Sequence, residues 1–182
     1  MIKINPKNTE TKLVQEYLLS AVGPRPIALA STIDKNNIPN LSPFSFFNVF
    51  SGNPPILIFS PARRIRNNTE KDTLRNLKQV KEVVINIVSE DITKKMVKSS
   101  LDYDSDIDEF RESGLTHLQS DLIKPFRVKE SPVQMECKVN KIISLGNSGG
   151  SGNLIICEIL LIHICEKILD KKNRIDQKKI NL

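Results

Sequence analysis

The chain has 182 residues, 39% hydrophobic and 26% charged, with a formal net charge of +6; that length allows one domain with a sizeable core, and that balance argues against a disordered segment. The longest apolar run, Leu154 to Ile164, is interrupted by Glu158 and His163 and is well short of the roughly 20 residues that span a bilayer. The N-terminal Met1-Ile2-Lys3-Ile4-Asn5-Pro6 has no signal-peptide core, so a cytoplasmic location without membrane attachment is the default expectation.

In chain order, Thr11 to Val22 places Leu13, Tyr17 and Leu18 on one face of a helix, with Thr9 or Thr11 as cap and Gly23-Pro24 as stop. That face is expected to pack against the rest of the fold. Arg25, between Pro24 and Pro26, is held extended and either lies on the surface or points at a ligand. Ile27 to Thr32 is β-prone, and Asp34-Lys35-Asn36-Asn37 tolerates a reversal, which predicts a hairpin from about Ile27 to Phe44. Ser42-Pro43-Phe44-Ser45-Phe46-Phe47-Asn48 then combines three phenylalanines, two hydroxyls and an amide. Such a mixture suits either a flat, partly polar ligand or a core-facing aromatic cluster with serines in turns. Ile56 to Ser60 reads as a short strand between Pro55 and Pro61. Arg63, Arg64 and Arg66 precede a helix start with Asn68 or Thr69 as N-cap and Asp72 in the first turn. Guanidinium groups beside a helix N-terminus hold a phosphate readily; the alternative is a solvated surface loop.

Lys71 to Val80 reads as a helix with Leu74, Leu77 and Val80 on one face, and Glu82 to Val88 as a β-branched strand buried on both sides. Asp91 or Thr93 caps a helix running to about Ser100. The acidic stretch Asp102 to Glu109 lacks the glycine and the final glutamate of a calcium loop, and Ile107 to Ser113 reads as a short helix ended by Gly114. Asp121 to Glu130, interrupted by Pro125, fits an edge strand or connector. Gln134 to Ile143 and Asn153 to Ile164 are long β segments, joined by a stretch from Leu145 to Gly152 that holds four of the seven glycines. It lacks the order of a phosphate-binding loop and precedes a strand, so a flexible hairpin loop is expected. Cys137, Cys157 and Cys165, widely spaced in strand-like runs, are expected to be reduced and buried; with two histidines in the chain no metal site is expected. The excess lysines are spread along the chain without interleaved aromatics, which argues against a nucleic-acid partner.

PRPIALAST, SPFSFFN, NPPILIFSPARR and KDTLRN, together with Pro132 to Cys137 and Gly152 to Glu158, resemble the flavin reductase-like family, flavoredoxin-type proteins included. The resemblance spans nearly the whole chain. It implies one domain over residues 1–182, mainly β with flanking helices, folded as an FMN-binding split β-barrel. It further implies an NAD(P)H:flavin oxidoreductase that uses NADH or NADPH as substrate, works as a homodimer and can serve a redox protein partner. Hydride chemistry then belongs to FMN, so no catalytic side chain is assigned. Ser31, Thr32, Ser45, Phe46, Phe47, Asn48 and Ser60 are expected at the ring and ribityl chain, and Arg64, Lys71 and Thr73 at the phosphate. Relatives usually continue past the point where Leu182 ends this sequence, with glycines and an arginine; the resemblance thus implies either a naturally short or truncated member or a site completed otherwise. Two alternatives stay open: an electron carrier that takes no hydride directly from a nicotinamide, and a dimeric binding protein that has kept the barrel without the cofactor.

Overall fold

The computed structural model describes all of Met1–Leu182. Its strands are β1 (Ala28–Ile33), β2 (Pro39–Phe44), β3 (Phe47–Gly52), β4 (Pro55–Phe59), β5 (Glu82–Ile87), β6 (His117–Leu118), β7 (Arg127–Val128), β8 (Val133–Ser144) and β9 (Asn153–Ile164). Its α-helices are α1 (Thr11–Ala21), α2 (Asp72–Gln79), α3 (Glu90–Lys98), α4 (Glu109–Ser113) and α5 (Gln177–Ile180). Seven strands form one antiparallel sheet in the order β2-β1-β5-β8-β9-β4-β3, and β6 pairs with β7 in a separate ladder.

The two edges of that sheet, β2 and β3, are consecutive in the chain and separated only by Ser45 and Phe46. Laid flat, seven strands would hold their edges roughly 29 Å apart at about 4.8 Å per strand. Three peptide links from Phe44 to Phe47 reach at most about 11 Å. The sheet therefore has to curl on itself. No ladder forms between β2 and β3; the seam is drawn together by the Ser60 N–H donating to the Phe46 carbonyl at 2.9 Å and by the Phe44 and Phe59 rings, 5.5 Å apart. This is a split barrel with flanking helices.

Strand alternation sorts the side chains. Ala28 and Ala30 of β1 face the barrel interior with Phe44, Leu57, Phe59, Val83, Ile85, Met135, Cys137 and Ile155, and Leu74 and Leu77 of α2 insert into the same core. Leu29 and Leu41 face outwards into a second cluster with Ile92, Met96 and Phe110, so α3 and α4 cover β1 and β2 from outside. The β1–β2 turn forms as the sequence predicts: Asp34 Oδ1 accepts from the N–H groups of Asn36 and Ile38, both at 2.8 Å, and Asn37 takes a positive φ of 65°. The β8–β9 hairpin, the β5 strand with its buried centre and the α4 helix ended by Gly114 at φ 73° also match expectation.

Several expectations are corrected. Helix α1 forms, but Leu13, Tyr17 and Leu18 remain exposed and no residue of the helix is buried, because nothing else in the chain lies over that face. Its N-cap position is Glu10 rather than Thr9 or Thr11, and Arg25 donates through Nη1 to the carbonyls of Leu19 and Val22, closing the helix C-terminus. Helix α2 begins two or three residues later than Asn68 or Thr69 as N-cap would place it, with Lys71 at the cap position, because residues 64–68 close a turn of their own through the Asn68 N–H and the Arg64 carbonyl at 2.9 Å. Ser89, not Asp91 or Thr93, precedes α3, and Cys165, just past the end of β9, is exposed whereas Cys137 and Cys157 are buried.

One buried charge anchors the connector before β8. Glu136, fully buried on β8, accepts the N–H groups of Asp121 at 2.8 Å and Leu122 at 2.7 Å and contacts His163 Nε2 at 2.7 Å. Burial alone would raise its pKa, but the two N–H donors and His163 hold it below the ordinary glutamate value. A carboxylate with a depressed folded-state pKa contributes stability that is full above the unfolded value and is lost as pH falls through the folded one. Glu136→Gln is therefore expected to cost about 3 kcal/mol near neutrality, the range for breaking a buried paired charge. Urea unfolding of both proteins should show the gap narrowing below about pH 4; a gap independent of pH would contradict this account.

Candidate functional site

The loop from Ala62 to Lys71 joins β4 to α2 and carries Arg63, Arg64 and Arg66. Arg63 is consumed internally: its Nε donates to Asn68 Oδ1 at 2.7 Å and its Nη1 to Glu70 Oε1 at 3.0 Å. Arg64 donates to the Glu70 carbonyl at 2.7 Å and bridges Asp72 at 3.3 Å and Asp102 at 3.2 Å, while Arg66 pairs with the other oxygen of Asp102. The tip of the β8–β9 hairpin supports this loop. Arg63 N–H donates to the Ser151 carbonyl at 2.9 Å, Gly150 N–H donates to the Arg63 carbonyl at 3.0 Å, and Asn68 Nδ2 donates to the Asn147 carbonyl at 2.9 Å. A Cβ at Gly149 would lie 2.8 Å from the Ile65 carbonyl oxygen, which explains a glycine there. The glycine-rich joint is thus a docked brace rather than a flexible loop.

Lys71 stands apart from the other cations. It sits at the cap position of α2 with Nζ 5.5 Å from the centre of the Phe44 ring, and it makes neither a hydrogen bond nor an ion pair. Burial, followed by repulsion from Arg64, pushes its pKa below the usual lysine range, with Asp72 pulling the other way. A partly desolvated cation without a counter-ion, at the start of a helix whose first N–H groups have no intrahelical acceptor, favours an anion beside it. The space is present: an open cleft of about 390 Å³ is lined by Arg64, Arg66, Lys71, Ser100, Asp102 and Gln15 of α1. A smaller cavity of about 50 Å³ adjoins it through Arg64, Lys71 and Asp102 and reaches Asn40, Ser42, Thr73 and Glu109. The cations that line these two spaces fit an anionic group.

The ten residues that the sequence points to fall into distinct places. Arg64 and Lys71 line the cleft, and Thr73, buried, lines the adjoining cavity. Thr32 faces α2, where its Oγ1 accepts from Asn76 Nδ2 at 3.2 Å. Ser31, next to it on β1, turns to the opposite face with Leu29, and its Oγ is buried without a partner. Ser45 accepts from Arg25 Nε at 3.4 Å, Phe46 is 39% exposed, and Phe47 is half-buried against the barrel core. Asn48 is exposed, with Oδ1 accepting from the N–H of Val49 at 2.8 Å, and Ser60 is buried near Gly152. The barrel seam at Ser45 and Phe46 and the cation cleft are connected through Phe44, which carries Lys71 on its ring.

Two members of the site escape sequence reasoning. Asn40, on β2, makes a 3.0 Å hydrogen bond with the Thr73 hydroxyl. Glu109, the first residue of α4, accepts the N–H of Leu41 at 3.1 Å, and burial raises its pKa to about 7. No local pattern marks either, since their partners lie 33 and 68 residues away.

Two other features bear on the assignment. Asp121, Glu136 and His163 bring ligand atoms within 4.8 Å of one another. However, Arg127 already lies 3.3 Å from Asp121 and 3.9 Å from Glu136, so a cation's place there is filled. The largest cavity, about 680 Å³, lies between the end of β9 and α5 and includes none of the ten residues.

The sequence model described as "Flavin reductase like domain" matches residues 21–177. An uncharacterized protein of Aquifex aeolicus is 38% identical over 173 residues, covering 95% of this chain and 86% of its own length. The crystal structure of nitrilotriacetate monooxygenase component B from Bacillus cereus superposes with a TM-score of 0.91 at 28% identity, covering 99% of this chain and 89% of that one. That of the 2-nitrobenzoate 2-nitroreductase NbaA from Pseudomonas fluorescens gives 0.83 at 27% identity, covering 96% and 83%. With a cation cleft beside an aromatic barrel seam and a family match over most of its length, the chain belongs to the flavin reductase-like family.

Proposed function

We propose that this protein binds FMN and is an NAD(P)H-dependent flavin oxidoreductase acting as a homodimer. The single observation that carries the reading is Lys71, a partly buried lysine with no counter-ion beside the barrel seam. FMN, when bound, supplies a ring that accepts a hydride from a nicotinamide. Lys71 and Arg64 hold the phosphate, and Arg64 is kept in place by the Glu70 carbonyl and by Asp72 while Asp102 gives way to the incoming anion. Phe46, Phe47, Ser45 and Asn48 provide the apolar wall and the polar rim for the ring. Thr32 lies on β1 and Ser60 just past the end of β4, the neighbours of the two seam strands, and Ser31 contributes through its backbone rather than its outward-turned hydroxyl. Exposed Val49 and Phe50 on the β3 edge, with Leu160, Ile162 and Ile164 on the part of β9 beyond its pairing with β4, supply an apolar surface for a second copy.

Three outcomes test the reading. The purified protein should be yellow or take up added FMN, and replacing Lys71 and Arg64 by alanine should weaken FMN binding by roughly ten- to a hundredfold for each cation removed, measured by quenching of flavin fluorescence. Unchanged affinity in the double variant would overturn the phosphate assignment. Anaerobic mixing of the FMN-loaded protein with NADH or NADPH should bleach the flavin within seconds; no bleaching, with reduction by a protein donor instead, would identify an electron carrier. Sedimentation equilibrium should give twice the chain mass, and Phe50→Glu combined with Ile162→Glu should yield monomers. A monomeric wild type would remove the dimer from the proposal.

A further inference from the structure

The Glu136–His163 pair that anchors the connector before β8 also borders the largest cavity, which the flavin reading leaves unused. Each Glu136 oxygen accepts a backbone N–H, one from Asp121 and the other from Leu122, so the carboxylate acts as an acceptor on both sides. The proton in its 2.7 Å contact with His163 therefore sits on Nε2. That fixes the tautomer and leaves Nδ1 as the ring nitrogen without a partner. Glu136 is fully buried whereas the His163 side chain is 19% exposed, so the open part of the ring lies away from the carboxylate. There the ring lines a cavity of about 680 Å³.

Other groups on the same walls have hydrogen-bonding capacity to spare. Ser89 stands at the N-cap position of the nine-residue α3 but makes no capping bond; the residue is 5% exposed and its hydroxyl has no partner. Lys129 and Lys167, both exposed, enter neither a hydrogen bond nor an ion pair. The remaining charged groups are engaged, apart from the exposed Asp91. Glu130 accepts the N–H and the hydroxyl of Thr116 at 3.0 and 2.8 Å, Arg127 donates to Gln134 Oε1 at 3.1 Å and to the Gln119 carbonyl at 2.8 Å, and Lys179 donates to the Leu169 carbonyl at 2.6 Å. Pro132, Ile168 and Ile180 give the cavity an apolar side, and its volume suits a small organic molecule.

We propose that this cavity is a second binding site, separate from the flavin cleft, for a small organic acid: an oxyanion on an apolar body that shares one proton with His163 Nδ1. His163 either accepts a hydrogen bond from the protonated acid or, having taken its proton, donates to the anion; the complex holds one proton in both descriptions. Ser89 donates to the oxyanion, Lys129 and Lys167 attract it, and Glu136 is a positioning residue that keeps His163 in the receptive tautomer. The proposal does not depend on the flavin assignment, since the cavity contains none of the ten residues assigned to that cofactor.

Phenyl phosphate and benzoate serve as probes, with benzyl alcohol as the uncharged control. Nitrogen-15 spectra of the His163 ring should show the proton on Nε2 in the free protein and a shift of Nδ1 on saturation with either anion, but not with the alcohol. Both anions should also slow alkylation of Cys165 by iodoacetamide, because it is the exposed thiol and lines the cavity, whereas Cys137 and Cys157 are buried. His163→Gln, which can still donate to Glu136 but has no basic nitrogen, is expected to weaken both anions about tenfold, the size of one charge-assisted hydrogen bond. Ser89→Ala and the double variant Lys129→Ala, Lys167→Ala should each do the same, with FMN affinity unchanged. In Glu136→Gln, no longer an obligate acceptor, the ring spectrum should show both tautomers; an unchanged spectrum would overturn the positioning role. A proton on Nδ1 in the free wild type, or equal anion affinities across the variants, overturns the site. Should His163→Gln fail to fold, Ser89→Ala and the lysine variant decide by the same comparison. No Nδ1 shift and no protection of Cys165 at probe concentrations in the millimolar range also overturns it, leaving a solvent-filled cavity. If the monomeric Phe50→Glu, Ile162→Glu variant binds the anions and the wild type does not, a second copy takes the cavity and the ligand site is wrong. Protein that binds the anions but no FMN keeps this site and removes the flavin reading.

Discussion

The two-residue link between β2 and β3 is the constraint on which the rest of the architecture depends. Because Ser45 and Phe46 tie together strands that lie at opposite ends of the sheet order, the sheet cannot remain open. Closure does three things at once. It forms the interior that Leu74 and Leu77 of α2 enter, and it brings Phe44 against Phe59. It also sets the start of α2, and with it Lys71, above the Phe44 ring. The seam where backbone pairing is incomplete is where the aromatic and hydroxyl groups collect. Strand ends without ladder partners leave N–H and C=O groups available for a ligand's edge, whereas a fully paired barrel would have none to offer.

The electrostatics of the cleft follow from an uneven pairing of charges. Arg63 is tied down by Asn68 and Glu70, and Arg64 and Arg66 share Asp102, so most of the positive charge in the loop is compensated. Lys71 is not, and it is also the cation whose pKa burial pulls down. A compensated arginine mainly shapes the loop, while an uncompensated, desolvated lysine pulls on whatever anion arrives. Asp102 belongs to the acidic stretch between α3 and α4, so that stretch acts as counter-charge to the arginine loop rather than as a cation site of its own.

Much of this is legible along the chain, and the reason is local chemistry. Asp34 and Asn37 carry their own turn geometry, Gly114 its left-handed stop, and the long β8 and β9 segments their β-branched character. The motif resemblance reaches the barrel and the cation loop for the same reason, since those residues are contiguous. What cannot be read depends on distant neighbours. The spacing of Leu13, Tyr17 and Leu18 shows which residues share a face of α1 but not whether anything covers it, and nothing in the chain does. Alternation along β1 separates Ser31 from Thr32 by a full sheet thickness although they are adjacent in sequence, so residue type alone could not place both hydroxyls in one site. Asn40 and Glu109 meet only because α4 lies against β2.

The docked tip of the β8–β9 hairpin has a bearing on how the protein can be manipulated. A glycine-rich connection between two long strands is the place where a protein engineer would insert a peptide tag, open the chain for circular permutation or trim residues to tighten a scaffold. Here Gly149 lies against the Ile65 backbone and Asn147, Gly150 and Ser151 are hydrogen-bonded to the loop that carries the arginines. Lengthening or cutting this connection would therefore perturb the cation cleft from behind while leaving the strands intact, and permissive insertion points are better sought at the exposed β1–β2 turn.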